Sequence, residues 1–478
     1  MKVLLLLLIV LPVLAQAAPL ARGSYRQHLK LTFASAAEAA QARLTVAPVY
    51  DDREWALSAR WDDCNANSLV MHEHMARAGI KGTFYLTGTD PQGRFGEQFA
   101  HALMRDGCSI GGHSQTHPSL TMVPPNEVWQ QIMANRIERE AQTDTPVNSF
   151  AFPNGRYRSD TDPQALPDIT AALERAGYYH CVYTDFVKNN PHLQVEEWVT
   201  GWQVVPGDKV VDAAKFQENL DKILRFPSTY QQLSRCIFLG VHAWQQGEEW
   251  PKFDAVLDTL NNRGWWMCNQ TEWAAYARQA RAATITADAA GAAATQLTYQ
   301  VLRPLPAELG AAVPLTIVVQ GAAPQAAECD GQPLACEQRG DRAVLNLPPS
   351  PQHPLPARID HVAVALGQQD YVASTEFPSL SFRLSLRQEA GERRLVLQWQ
   401  PTADLRERFA TFRMPLRYTA NPTTAQPAAG ATQQACLLQE RPEERYRGGP
   451  EYFAVQLDFT SPQGVGRVYV TATADVDG

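Results

Sequence analysis

Residues 58–65 read SARWDDCN, so that two aspartates, Asp62 and Asp63, follow directly on a short apolar run. Adjacent carboxylates repel each other and resist burial unless positive charge meets them. Further along, HSQTH places His113 and His117 four residues apart, and FLGVH ends on His242. Two imidazoles with one carboxylate make a common three-ligand set for a catalytic divalent metal, with a position left for water. A cation bound by one aspartate would make the second one tolerable. Such a donor set suits zinc best, with cobalt or nickel able to substitute.

These residues must be held by a scaffold. Between about residues 51 and 282, short apolar runs alternate with amphipathic stretches. EWALSARW, GTFYLTG, CSIGGH, NSFAFP, YYHCVYT, WVTGWQVV, RCIFLGVH and GWWMC are eight strand candidates. Helical stretches lie between most of them. Leu69, Val70 and Met75 recur at helical spacing before Gly79, as do Phe95, Phe99 and Leu103, and then Val128 and Ile132. Strand and helix alternating in this way predict an α/β fold with a parallel sheet, closed or nearly closed into a barrel. In such a barrel reactive side chains gather at the C-terminal strand ends, where Asp62-Asp63, HSQTH and His242 all fall.

The period changes after residue 283. TITADAAGAAATQ (284–296) reads as a small-residue linker, and the following segments alternate with period two. They predict an all-β, sandwich-like domain over 284–366 and a second β-rich domain over 367–478. The barrel, with an N-terminal extension, takes residues 19–283 and is expected to fold alone. Residues 1–18 are read as a signal peptide: Lys2, an apolar run from Val3 to Leu14, and Ala15-Gln16-Ala17 as the cleavage site. That reading makes the mature protein exported, periplasmic or extracellular, and no later segment is long and apolar enough to span a membrane.

With 478 residues and a net charge of −8, the chain has several domains and lacks the basic balance of a nucleic-acid binder. No C-x-x-C occurs among the 8 cysteines, which argues against a cysteine-ligated zinc site. Cys329 and Cys336 flank an Asp-Gly turn and are a candidate disulfide, and the other six are read as packed thiols. His72 and His74, two apart on a helix, face different directions and are read as a solvated face. Trp202 and Trp244 are candidates either to stack on a sugar ring or to pack the barrel.

In motif and order, residues 55–245 resemble the NodB-type polysaccharide deacetylases, carbohydrate esterase family 4. RWDDC matches their T-F-D-D-G, HSQTH their H-[ST]-x-x-H, FAFPNG falls at F-R-P-P-[YF]-G, and FLGVH matches the final L-x-H. The resemblance implies a distorted parallel (β/α) barrel. It also implies a general base at Asp62, metal ligands at Asp63, His113 and His117, and a general acid at His242. The implied reaction is hydrolysis of N-acetyl or O-acetyl groups on an acetylated glycan. An acetyl esterase of plant polysaccharide and a catalytically inactive carbohydrate-binding protein are the alternatives. The chain departs from the pattern at Ala151, where the family often has an arginine that partners the base. Arg60 and Arg156 are the candidate replacements. Cys64 stands in place of the turn glycine, and Asp185 is the best match for the aspartate that orients the general acid.

Overall fold

The computed structural model describes residues 23–63, 67–88, 97–123, 125–156, 159, 161–182, 202–203, 212–225, 235–240, 242–243, 250–261, 263–352, 355, 358–366, 371–374, 380–389, 392–401, 408–414, 423–425, 433–438, 451–461 and 464–474. Residues 1–18, read from the sequence as a signal peptide, lie outside them, as do Cys64, Phe95, Asp185 and Trp244 and the side chain of Trp202. Among the described residues, no helix is long and apolar enough to cross a membrane.

The chain opens on β1 (Ser24–Thr32), a short helix α1 (Ala36–Gln41) and β2 (Arg43–Val46), and then enters the barrel. Its strands are β3 (Ala56–Asp62), β4 (Gly82–Leu86), β5 (Ser109–Gly112), β6 (Ser149–Ala151), β7 (His180–Val182), β8 (Trp202–Gln203), β9 (Cys236–Leu239) and β10 (Trp266–Met267). Seven fall within the runs picked out by apolar patterning and β3 extends one residue past its run, to Asp62, and every pairing between them is parallel. The order is β7-β6-β5-β4-β3-β9-β8, with β10 beside β3. This sheet is the parallel barrel that the alternation predicts, distorted as the resemblance implies. Every residue of β3, β4, β5 and β6 is buried, as expected of a sheet covered on both faces.

The helices are α2 (Ser68–Arg77), α3 (Glu97–Arg105), α4 (Pro125–Thr143), α5 (Ala165–Arg175), α6 (Ala213–Leu224), α7 (Trp250–Asn261) and α8 (Gln270–Ala282). Phe99, Leu103, Val128 and Ile132 are buried as their spacing predicts. On α2 Met75 is buried as expected, but its buried neighbour on that face is Met71, and Leu69 is 44% exposed. Met75 is fixed there by Trp61, whose indole Nε1 donates to its Sδ at 2.8 Å.

Strand pairing divides the chain differently from the composition. The β1 strand pairs along its whole length with β12 (Gln296–Pro304) and on its other edge with β14 (Ala326–Cys329). β2 pairs with β13 (Leu315–Gln320). With β11 (Thr284–Ala287), β15 (Gln332–Leu334), β16 (Glu337–Arg339) and β17 (Arg342–Leu347), they form two sheets, β11-β12-β1-β14-β15 and β16-β17-β13-β2. Leu29, Leu31 and Phe33 share one core with Val301, Ile317, Val319 and Leu345. The N-terminal extension is therefore part of the first β-sandwich, and the barrel is inserted between β2 and β11. The small-residue linker begins as a strand, since Thr284–Ala287 pairs with β12.

The second boundary also moves. β18 (Arg358–Leu366) is parallel to β26 (Gly464–Ala474), and so belongs to the last domain. There β18, β26, β25 (Glu451–Ser461), β22 (Arg408–Met414) and β23 (Thr423–Ala425) form one sheet. β19 (Tyr371–Ser374), β20 (Leu380–Glu389), β21 (Glu392–Pro401) and β24 (Gln433–Leu438) form another.

The Asp-Gly turn does join β14 to β15, but Cys329 lies opposite Gln332 in that ladder and Cys336 falls beyond its end. Both cysteines are free thiols. Cys108, Cys181, Cys236 and Cys268 are buried and outside any disulfide, as packed thiols should be.

A chain ending at residue 283 strips β1 and β2 of every strand they pair with. Leu29, Leu31 and Phe33 lose burial worth roughly 1.5–3 kcal/mol each, a sum comparable with a domain's whole margin. We expect the 23–283 fragment to aggregate on expression. Its recovery as a soluble monomer with the full-length chain's thermal transition would refute this division of the chain.

Candidate active site

The carboxyl end of β3 carries Arg60, Asp62 and Asp63. Residues two apart on a strand point to the same side, so Arg60 lies directly beneath Asp62. Its Nε donates to Asp62 Oδ1 at 2.9 Å and its Nη2 to Oδ2, with both side chains almost fully buried. Such a bidentate pair compensates the buried carboxylate and fixes its plane. Of the two candidate replacements for the motif arginine, Arg60 takes the role. Arg156 instead reaches the Met122 sulfur at the surface, at 3.4 Å.

Asp63 leaves the strand with φ of 67°, a left-handed backbone that turns its side chain towards the loop after β5. In that loop Ser114 (φ 65°) and His117 (φ 61°) are left-handed as well. The turn is closed by the His117 N–H, which donates to Ser114 Oγ at 3.1 Å. Asp63 Oδ1 lies 3.3 Å from His113 Nε2 and 3.2 Å from His117 Nε2, and the two imidazole nitrogens are 3.2 Å apart. His113 Nδ1 is 2.8 Å from the Ala151 carbonyl, which assigns the proton to Nδ1 and leaves the Nε2 lone pair facing Asp63. Ala151 thus contributes its backbone where the family pattern has a side chain.

The three side chains form a group that could hold a metal ion. The donor set fits a divalent cation. Two imidazole nitrogens and a buried carboxylate oxygen converge on one point, and Asp63 Oδ1 has no hydrogen-bond donor. Burial pushes the Asp63 carboxyl up, but the His113 and His117 imidazoles beside it outweigh this and hold it far below the usual carboxylate range. The neighbouring Asp63 carboxylate raises the His117 imidazole.

His242 follows β9 and is half-buried. Its backbone bridges to Asp62 in parallel register, and its Nε2 lies 3.6 Å from Asp63 Oδ2. Two residues earlier Gly240 has φ of 81°, and a Cβ there would meet the Trp61 ring at 2.1 Å, so only glycine lets β9 end this close to β3. All five residues expected from the motifs therefore gather at one end of the sheet.

His72 and His74 point apart as expected, but they are not a solvated face. His72 is buried, with Nε2 2.9 Å from Asp106 Oδ2 and Nδ1 3.7 Å from Cys108 Sγ. This order of thiol, imidazole and carboxylate resembles a nucleophilic triad. Burial pushes the Cys108 thiol up to about 11, however, so it carries no thiolate at neutral pH. His74 pairs with Asp254 at 2.5 Å and stacks on Trp250.

Two functional residues had no motif to mark them. Gln131 and Asn135 on α4 hold the backbone of the 113–117 loop: Gln131 Oε1 accepts from the Thr116 N–H at 2.8 Å, and Asn135 Oδ1 from the His113 N–H at 3.0 Å. Their spacing of four, on the face of a helix following HSQTH, was the available signal.

The family model described as polysaccharide deacetylase matches residues 50–170. The kinship suggested by the motifs is borne out over that stretch. It spans β3 to α5 and contains Asp62, Asp63, His113 and His117. No curated protein matches the chain.

Solved structures similar to it include a family 4 acetyl xylan esterase from Clostridium thermocellum in complex with a cobalt ion (17% identity, 46% of this chain and 89% of that one, TM-score 0.31). Another is the catalytic domain of a peptidoglycan N-acetylglucosamine deacetylase from Eubacterium rectale (12% identity, 47% and 91%, TM-score 0.32). A third is a CE4 family pseudoenzyme from Bacillus anthracis (17% identity, 47% and 66%, TM-score 0.31).

The Arg60–Asp62 pair gives a direct test. Arg60→Met leaves a buried carboxylate without its counter-charge and should destabilise the protein by roughly 3–5 kcal/mol. Adding Asp62→Asn should recover part of that loss. Denaturant unfolding of the single and double variants measures both, and additive losses would mean that the two side chains do not stabilise each other.

Proposed function

We propose that this chain is an exported, metal-dependent deacetylase that hydrolyses N-acetyl or O-acetyl groups on a glycan and releases acetate. The observation that carries the reading is the convergence of Asp63, His113 and His117 on one point, with Asp62 and His242 beside it. A divalent cation, zinc by the chemistry of the donors, would be held by Asp63 Oδ1 and the two Nε2 atoms. When bound it supplies Lewis acidity, polarising the acetyl carbonyl and making water a stronger acid.

The chain's own residues do the rest. Asp62, 3.9 Å from His113 Nε2 and fixed by Arg60, accepts the proton of the attacking water. His242 in its protonated form delivers a proton to the leaving amine or alcohol as the bond to the acetyl carbon breaks. The products are acetate and a free amino or hydroxyl group. Export rests on the N-terminal run from Val3 to Leu14 and the Ala15-Gln16-Ala17 site. Keeping all five reactive side chains together disfavours an inactive binding protein, since binding alone needs neither the base nor the acid.

The two aspartates should fail differently. Asp62→Asn keeps shape but cannot take a proton, so bound metal should remain while turnover falls by about 10²–10⁴. Asp63→Asn removes an anionic ligand, so affinity should fall and excess metal should restore part of the activity. Acetate release from acetylated chitooligosaccharides, peptidoglycan and xylan, with metal content measured in parallel, checks both. Near-normal turnover in Asp62→Asn would end the assignment of the base.

A pH series adds an independent reading. A proton on His117 competes with the cation, and Asp63 raises that imidazole's pKa in the metal-free protein. Apparent affinity should therefore fall as pH drops through this raised value and level off above it. Affinity that does not change across that range would exclude His117 as a ligand.

A further inference from the structure

Polar side chains leave α4 in two directions. Towards the ligand loop, Gln131, Asn135 and Glu138 lie on one helical face. Besides accepting from the loop backbone, Gln131 Nε2 donates to Thr116 Oγ1 at 2.8 Å and Asn135 Nδ2 to the Leu86 carbonyl at 2.8 Å. Glu138 accepts from Gln115 at 2.8 Å. Towards the last β domain, Glu140 Oε1 accepts from Arg136 Nε at 3.0 Å, from the Val147 N–H at 2.9 Å and from Arg467 Nη1 at 2.9 Å. Arg467 lies on β26, and all three charged side chains are buried. The same domain adds the Ile359 N–H, 3.0 Å from Asp144 Oδ1 just past the end of α4, and Tyr469, which is packed into the barrel core.

The two faces meet directly beneath His113. The Arg136 guanidinium lies 5.3 Å from the centre of the Tyr178 ring. A Cβ on Gly112 would come within 2.3 Å of the Tyr178 hydroxyl and 2.8 Å of Asn135 Oδ1, so the strand end carrying His113 rests on both. Any shift or rotation of α4 moves the groups that hold the His113 and Thr116 amides.

We propose that Arg467 of the C-terminal β domain is a positioning residue for the metal-ligand loop, acting through Glu140 and α4. This rests on the deacetylase reading of the site. It gives the last domain a part in setting metal affinity, although it supplies no ligand. Partners behind the ligands typically change metal affinity by 10- to 100-fold when they are lost.

The test uses the full chain, with cobalt(II) as the probe. Arg467→Met should weaken cobalt binding about tenfold, measured by chelator competition. In the metal-free protein it should also speed amide hydrogen exchange across residues 113–117. Arg467→Lys, which keeps the charge, should recover most of both effects. Asn135→Ala should reproduce them, and combining it with Arg467→Met should give less than the summed loss, as expected for two parts of one chain of contacts.

A lower melting temperature in Arg467→Met with wild-type exchange and affinity would overturn the proposal, as would strictly additive losses. Should Arg467→Met fail to fold, Arg467→Lys and its combination with Asn135→Ala decide by the same additivity. A wild-type chain that takes up no cobalt would overturn the function proposed above. The exchange of 113–117, read without metal, would still decide the role of Arg467.

Discussion

Two negative charges side by side at the end of a buried strand must each meet a positive counterpart, and the architecture of the site follows from how this is done. Successive residues on a strand point to opposite faces, so one guanidinium cannot serve both. Asp62, in strand geometry, is met by Arg60 two residues back. Asp63 escapes the alternation by turning left-handed, which brings its carboxylate to His113 and His117. The two carboxylates thus belong to different electrostatic environments despite adjacency in sequence. That separation is what the proposed division of roles, base and cation ligand, requires.

Left-handed backbone at Asp63, Ser114 and His117 costs of order 1–3 kcal/mol per residue, somewhat less for aspartate than for a branched side chain. It persists because the surroundings over-determine it. Ser114 Oγ caps the His117 N–H, the Ser114 carbonyl takes the Gly88 N–H at 3.2 Å, and Gln131 and Asn135 hold Thr116 and His113. Each of these bonds satisfies a backbone group that a regular strand would have paired. The backbone of the loop is thus held by the protein's own hydrogen bonds.

Much of the barrel was legible because its signals are local. An apolar run followed by an amphipathic stretch marks each βα unit, and reactive residues at strand ends mark the site. Arg60 and Arg156 were equal candidates from the sequence, and what separates them is that an arginine two before an aspartate on a strand lies on the same side. The division into domains was not legible. β1 pairs with strands more than 260 residues away, and such a pairing leaves no trace in the composition of Ser24–Thr32. On α2, helical spacing favoured Leu69 as readily as Met71, and only contact with Trp61 decides between faces. His72 misled for a related reason. A histidine among charged residues reads as solvated until Asp106 and Cys108 are found against it.

Insertion of the barrel into the first sandwich changes what the β-rich parts do. Both chain crossings, at residues 47–55 and at 283, pass beside α8, where Tyr276 donates to the Ala47 carbonyl at 2.9 Å. Gln279 donates to the Pro314 carbonyl at 2.6 Å and accepts from the buried Arg303 at 2.8 Å. The first sandwich therefore grips α8, and the last domain grips α4 through Arg467 and Ile359. One helix packs behind β3 and β4, and the other behind β5, the strand that leads to His113. Buried guanidinium groups make both contacts, and a buried charge tolerates little displacement from its partners because the cost of leaving it unpaired is several kcal/mol. The β domains are thus fixed to the two parts of the barrel that carry the carboxylates and the imidazoles, and the distance between those parts is the dimension on which the candidate metal centre depends.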